Sequence, residues 1–150
     1  MTNIKRIKKR IKKNEGYRNT IYFDQLGHPT IGYGHLVKKK DFFLNGVKYS
    51  KKHLNKIFED DFKKTLSDFK SKYTNKNLTN SAQEVLIEMI FQLGIKKTMK
   101  FKKFNKFLNE AKPYLAATEM INSRWYLQTP KRVETLIAIL LNYKNEKRKR

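Results

Sequence analysis

The chain has no cysteine. That excludes a disulfide scaffold, a thiolate zinc site and a cysteine nucleophile. Acid is scarce: 13 Asp and Glu stand against 35 Lys and Arg, a formal net charge of +22 over 150 residues. No run of 18 apolar residues exists, so no membrane-spanning helix is expected. The charged N-terminus has no apolar stretch of the kind a secretory signal needs, and none is expected. Apolar residues make up 39%, a low share, yet ten Phe, eight Tyr and one Trp argue against intrinsic disorder. A chain of this length makes one domain, or two small lobes sharing a core, and buries roughly 70% of its unfolded surface.

A charge of +22 predicts attraction to polyanions: nucleic acid, anionic membrane or an acidic cell wall. Composition does not choose among them, and coding bias toward Lys, Asn and Ile accounts for the excess equally well.

Residues 4–13 alternate Ile4, Ile7 and Ile11 with seven basic residues, the spacing of a helix docked by one apolar stripe. Four of the six glycines, Gly16, Gly27, Gly32 and Gly34, fall within residues 16–34. Between them, Ile21–Phe23 and Thr30–Tyr33 read as strands of an antiparallel hairpin turning at Asp24–Gly27. Asn45-Gly46 reads as another tight turn. From Ser50, a candidate N-cap, Leu54, Ile57, Phe58, Phe62, Leu66 and Phe69 keep a helical period to Tyr73. Residues 74–77 are a polar connector. A second helix starts at Thr79 or Ser81 and stops at Gly94. Shorter helices are expected around Phe101–Leu108, from Pro113 through Ile121, and after Pro130. The tail 144–150 is expected to fray. The fold class is α+β, mainly α.

The first forty residues hold eleven Lys or Arg and two acids, Glu15 and Asp24. Two carboxylates beside a hairpin suit glycoside hydrolysis. One must be protonated to donate to the leaving oxygen, and the other ionised to activate water or steady an oxocarbenium-like transition state. On spacing alone, ordinary surface acids account for them better.

The literal residues add more. Asn14-Glu15-Gly16-Tyr17-Arg18, Ile21-Tyr22-x-Asp24, Gly27 and Thr30-Ile31-Gly32-Tyr33-Gly34-His35 closely resemble the catalytic segment of the T-even-type phage lysozymes. Met89-Ile90-Phe91-Gln92-Leu93-Gly94 resembles that family's buried helix. Ser123-Arg124-Trp125-Tyr126-x-Gln128-Thr129-Pro130-x-Arg132 resembles its late Arg-Trp motif. Three ordered motifs across residues 14–132 are far more specific than one short pattern.

The resemblance implies a two-lobed muramidase. Residues 14–49 would form the β lobe, 50–73 a bridging helix, and 74–150 with 1–13 the helical lobe, with the cleft between lobes. Its substrate would be peptidoglycan, cut at the β-1,4 bond between N-acetylmuramic acid and N-acetylglucosamine, with inversion. Glu15 would be the general acid, Asp24 the second carboxylate, and Thr30 a holder of the attacking water. Phe91, Gln92 and Arg124 would line the substrate cleft. Leu36 fits the cleft or the β-lobe core. Arg132 would pair with the catalytic Glu, and His35 with Asp61 would form a structural ion pair. Trp125 reads as core. Asn14 and Thr135 stand where the best-known member has a second ion pair, so that pair is expected to be absent. No metal or cofactor is implied: His28, His35 and His53 lack ligand spacing. A monomer is expected. The protein would accumulate in a host cytoplasm and reach the wall through holin-type lesions.

Three rivals come from other classes. A nucleic-acid-binding module accounts for the charge, but no recognition motif accompanies it and Glu15, Asp24 and Thr30 are left unexplained. A membrane-active cationic protein would kill through residues 1–13 and 144–150 without catalysis. A wall-binding protein with degenerate catalysis is opposed by the retained Glu15, Asp24 and Thr30.

Overall fold

A computed structural model describes residues 2–74 and 77–142. The chain groups into two compact units. One holds Lys5–Lys64; the other holds residues 2–4 and the described residues from Thr65 on. The architecture is α+β, mainly α, as expected.

In the first unit, helix α1 (Ile4–Glu15) buries Ile7 and Ile11 completely. Each such side chain is worth about 2 kcal/mol of transfer free energy. Its basic residues find partners on helix α2 (Lys51–Tyr73). Lys8 donates to Glu59 at 2.7 Å and Lys12 to Asn55 at 2.6 Å. The Lys12 ammonium also lies 4.9 Å from the Tyr33 ring and 4.8 Å from that of Phe58, so its stem covers apolar surface while its head stays paired. Ser50 caps α2: its Oγ accepts from the His53 N–H at 3.1 Å. Leu54, Phe58 and Phe62, four residues apart, are each 1% exposed.

Strands β1 (Arg18–Phe23), β2 (Pro29–Gly32) and β3 (His35–Leu36) form an antiparallel sheet in that order. Tyr22 is opposite Thr30, and Thr30 opposite Leu36. The first strand begins three residues earlier than the apolar run suggests, with an irregular register between Arg18 and Tyr22. Polar Arg18 and Asn19 carry little strand signal of their own; Arg18 is held in the strand by pairing with Gly32. A 3-10 turn (Lys39–Asp41) comes next. Leu44–Val47 forms the turn expected at Asn45-Gly46, closed by the Val47 N–H to the Leu44 carbonyl at 3.4 Å.

The second unit is built around helix α3 (Asn80–Leu93). Thr79 caps it through the Ala82 N–H at 3.1 Å. Val85, Leu86, Met89 and Ile90 are buried with Phe104, Leu108, Ala116, Met120, Trp125, Val133, Leu136 and Leu140. Apolar residues on nearly every side make this the central helix. Helices α4 (Ile95–Lys100), α5 (Lys102–Asn109), α6 (Pro113–Ile121), α7 (Arg124–Gln128) and α8 (Pro130–Leu140) surround it. Gly94 ends α3, as expected, but at φ 85° and ψ 158° it leads directly into α4 instead of closing a left-handed cap. The α4 and α7 helices are too short to show a period in sequence. Tyr73 donates its phenol to Asn105 at 2.6 Å, and burial pushes that phenol's pKa up to about 12. No helix among the described residues is long and apolar enough to cross a membrane. Part of the 74–77 connector and the tail 144–150 lie outside the described residues.

Candidate active site

Glu15 is the last residue of α1. Gly16 comes next at φ 72° and turns the chain toward β1, its N–H bonded to the Lys12 carbonyl at 3.0 Å. The β2–β3 turn comes back against the Glu15 carboxyl. Gly34, in that turn at φ 71°, leaves no room for a side chain: a Cβ there would collide with Glu15 Oε2 and sit 3.0 Å from its carboxyl carbon. The left-handed backbone favours glycine, and any side chain here would have to displace the Glu15 carboxyl.

Asp24 closes the hairpin. Its Oδ1 accepts from the N–H of Leu26 at 2.9 Å and of His28 at 2.8 Å. Its own N–H donates to the His28 carbonyl at 3.0 Å. This is an Asx turn, in which the side chain stands in for backbone. Thr30, 5% exposed, donates its hydroxyl to the same His28 carbonyl at 3.0 Å. Its proton is committed, so the remaining lone pairs can only accept.

Tyr22 connects these groups. It is opposite Thr30 in the sheet, and the Arg18 guanidinium lies 4.8 Å from its ring. Burial raises its phenol pKa first, then the Glu15 charge, against Arg18, with Asp24 adding. The phenol therefore stands in the field of both carboxylates. The sequence motif contains Tyr22 but assigns it no role. Its position two residues before Asp24, on one side of an extended chain, is the signal that could have singled it out.

His35 ties the small sheet to the 3-10 turn and to α2. Nδ1 is 2.7 Å from Asp61 Oδ2, the partner expected, and Nε2 is 2.9 Å from Asp41 Oδ2, a partner the sequence does not suggest. Carboxylates on both nitrogens favour the charged form of the ring. Burial opposes that charge, but the bonds to Asp61 and Asp41 outweigh it and His35's pKa is raised. Burial likewise opposes ionisation of Asp41, yet His35 and the Lys38 N–H hold its pKa below the usual value. Leu36 is 48% exposed on the edge strand, so it is no core residue of the sheet.

In the other unit, Gln92 is engaged at both ends. Its Oε1 accepts from Trp125 Nε1 at 2.8 Å, and its Nε2 donates to Thr129 Oγ1 at 3.2 Å. Trp125 is core, 2% exposed. Phe91 is half-buried and Arg124 exposed. Arg132 donates Nε to Glu88 at 2.8 Å, with both side chains buried. The sequence motifs assign Glu88 no role; an acid in an otherwise apolar stretch of α3 is the signal that could have pointed to it. Among the described residues no group of three or more His, Asp or Glu could hold a metal.

Residues 12–139 match the family described as phage lysozyme. Two proteins of Dictyostelium discoideum are similar over most of both chains. "Probable T4-type lysozyme 2" is 32% identical, covering 89% of this chain and 92% of its own. "Probable T4-type lysozyme 1" is 31% identical, with the same two coverages of 89% and 92%. A 27% identical stretch, 87% of this chain, also matches 27% of the pre-baseplate central spike protein Gp5 of Enterobacteria phage T4. Glu15 at the end of α1, Asp24 in the hairpin turn and Thr30 on β2 all lie inside the matched span, and the chain belongs to the phage lysozyme family, as a lysozyme of the glycoside hydrolase class.

Proposed function

We propose that this lysozyme cuts the β-1,4 bond between N-acetylmuramic acid and N-acetylglucosamine in peptidoglycan, with inversion. Glu15 is the general acid, Asp24 the base and Thr30 the holder of the water. The observation that carries the reading is the hairpin itself: the His28 backbone binds both Asp24 and Thr30, and the β2–β3 turn of the same sheet closes on the Glu15 carboxyl at Gly34.

The step follows from the groups. Protonated Glu15 gives its proton to the glycosidic oxygen as the bond to the anomeric carbon breaks. Water, donating one hydrogen to a Thr30 lone pair, attacks that carbon from the opposite face. Its other proton passes to Asp24. Inversion needs room for this water, with the carboxyl groups ~6.5–9.5 Å apart. Phe91, Gln92, Arg124 and Leu36 are proposed to contact the sugar strand, and Arg132 to support the acid. The proposed lobes are 14–49, 50–73 and 74–150 with 1–13, acting as a monomer on a host wall reached through holin-type lesions. The +22 charge would speed encounter with an anionic envelope.

The test is product analysis on purified peptidoglycan, by mass spectrometry and early-time proton NMR. Reducing-end N-acetylmuramic acid that appears first as the α anomer is the expected result. A β anomer would overturn inversion, and reducing-end N-acetylglucosamine would overturn the bond assignment.

A further inference from the structure

The loop from Lys38 to Tyr49 supplies none of the groups above, except that Asp41 braces His35. Between Gln25 and Phe58 the chain has a single acid, Asp41. Its carboxylate is occupied, accepting from His35 at 2.9 Å and from the Lys38 N–H at 2.7 Å. Around it Lys38, Lys39, Lys40 and Lys48 are exposed. Phe43 braces the loop from inside: its ring centroid is 4.7 Å from that of Tyr49, 5.6 Å from His53 and 6.4 Å from His35. The Leu44 N–H is fastened to the Tyr49 hydroxyl at 2.8 Å.

The residues on either side of Phe43 do the opposite. Phe42 is 84% exposed and Leu44 66%. Phe42 also sits at φ 58°, a left-handed conformation that Gly or Asn adopts with less strain. Packing gains nothing from this phenyl ring, which lies in water on a disfavoured backbone. The loop is thus a braced frame that presents two large apolar side chains among lysines.

We propose that loop 38–48 docks on an anionic lipid surface. Phe42 and Leu44 enter the boundary between headgroups and acyl chains, and the lysines meet lipid phosphates. The apolar pair selects this occupant. Duplex nucleic acid or an anionic wall polymer would engage the lysines and leave both side chains in water, and a single strand could stack a base on Phe42 but offers nothing to Leu44, whereas a bilayer takes both. A second copy of the chain would bring its own lysines against these. The proposal is independent of the glycosidase assignment, since it concerns different residues and a different ligand.

The experiment uses the full chain and vesicles of phosphatidylglycerol and phosphatidylcholine with brominated acyl chains. The native Trp125 is 2% exposed in the core and serves as the shielded control. Phe42→Trp is expected to shift its emission to the blue and lose about half its intensity on these vesicles, while the wild type does not change. A double variant, Phe42→Asn with Leu44→Ser, is expected to bind about tenfold more weakly at about 0.1 M salt. Its cleavage of purified peptidoglycan should be unchanged. Bound Phe42→Trp protein without quenching, or equal vesicle affinity of the double variant, would overturn the proposal in favour of binding by charge alone. Self-association in the ultracentrifuge that the double variant loses, again without quenching, would overturn it in favour of a second copy.

Discussion

Asp24 and Thr30 are joined through the backbone of one residue, His28. The Asp24 N–H and the Thr30 hydroxyl each donate to the His28 carbonyl at 3.0 Å, and the His28 N–H returns a bond to Asp24 Oδ1 at 2.8 Å. The separation of carboxylate and hydroxyl is therefore set by backbone, with little left to side-chain rotamers. Such fixed placement is what an active site needs if it is not to reorganise during reaction.

Thr30→Val keeps the shape and removes the hydroxyl. Activity should fall about 100-fold through kcat, and stability by about 1 kcal/mol for the lost bond to His28. Thr30→Ser should recover most of the activity. Steady-state kinetics and urea unfolding of both variants check this, and equal activity of Thr30→Val and wild type would remove Thr30 from the reaction.

Gly34→Ala places a methyl group where the Glu15 carboxyl now lies, on a backbone at φ 71°. Both effects act together. The expected loss is about 1–2 kcal/mol of stability, with kcat lower by about 10- to 100-fold. Gly46, also at positive φ, has open space around it, so Gly46→Ala should lose stability and keep kcat. Comparing the two separates backbone strain from displacement of Glu15.

The His35 clamp makes stability depend on pH in a definite direction. His35's folded pKa is raised above its ordinary 6.5, so its contribution is full below that value and is lost as pH rises through the folded pKa. Asp41's folded pKa is lowered from 3.8, so its contribution is present above that value and is lost as pH falls through the folded pKa. The clamp is strongest between these limits. Asp41→Asn should cost about 1–2 kcal/mol near pH 5.5 and progressively less above neutrality. Urea unfolding of variant and wild type across pH measures it, and a difference that grows with rising pH would contradict the clamp.

Glu88 and Arg132 form a buried ion pair between α3 and α8. Removing Glu88 takes a charge-assisted bond from a buried guanidinium, so Glu88→Ala should destabilise by about 2–3 kcal/mol. Thermal unfolding checks this, and a loss below about 1 kcal/mol would show that the pair is dispensable.

Phe42 gives the opposite sign. Phe42→Asn removes an exposed phenyl ring from a left-handed position and should raise stability by about 0.5–1 kcal/mol. A destabilised variant would mean that the ring has packing that its 84% exposure does not suggest.

Sequence patterns carried much of this fold because its long elements are locally consistent. The Ile7 and Ile11 stripe, the Leu54, Phe58 and Phe62 face, and the caps at Ser50 and Thr79 can all be read from spacing and residue type. What stayed hidden depends on distant neighbours. Helix α4 has six residues and α7 five, too few for a period. Arg18 is held in the strand by pairing with Gly32. The Asp41 bond to His35 and the Glu88 bond to Arg132 are tertiary facts, since sequence does not show which distant group an acid meets. At the site, Glu15, Asp24 and Thr30 are identified by resemblance, because the spacing of Glu15 and Asp24 alone favours ordinary surface acids. The Gly34 approach to Glu15 required the folded chain.

The most direct test of the central claim compares wild type with Glu15→Gln on purified peptidoglycan, following turbidity and new reducing ends at low and high salt. The amide keeps the shape of the side chain and cannot donate an acid proton. The account predicts clearing with new reducing ends for wild type, weaker at high salt, and neither for Glu15→Gln. Reducing ends released equally by both proteins would contradict it.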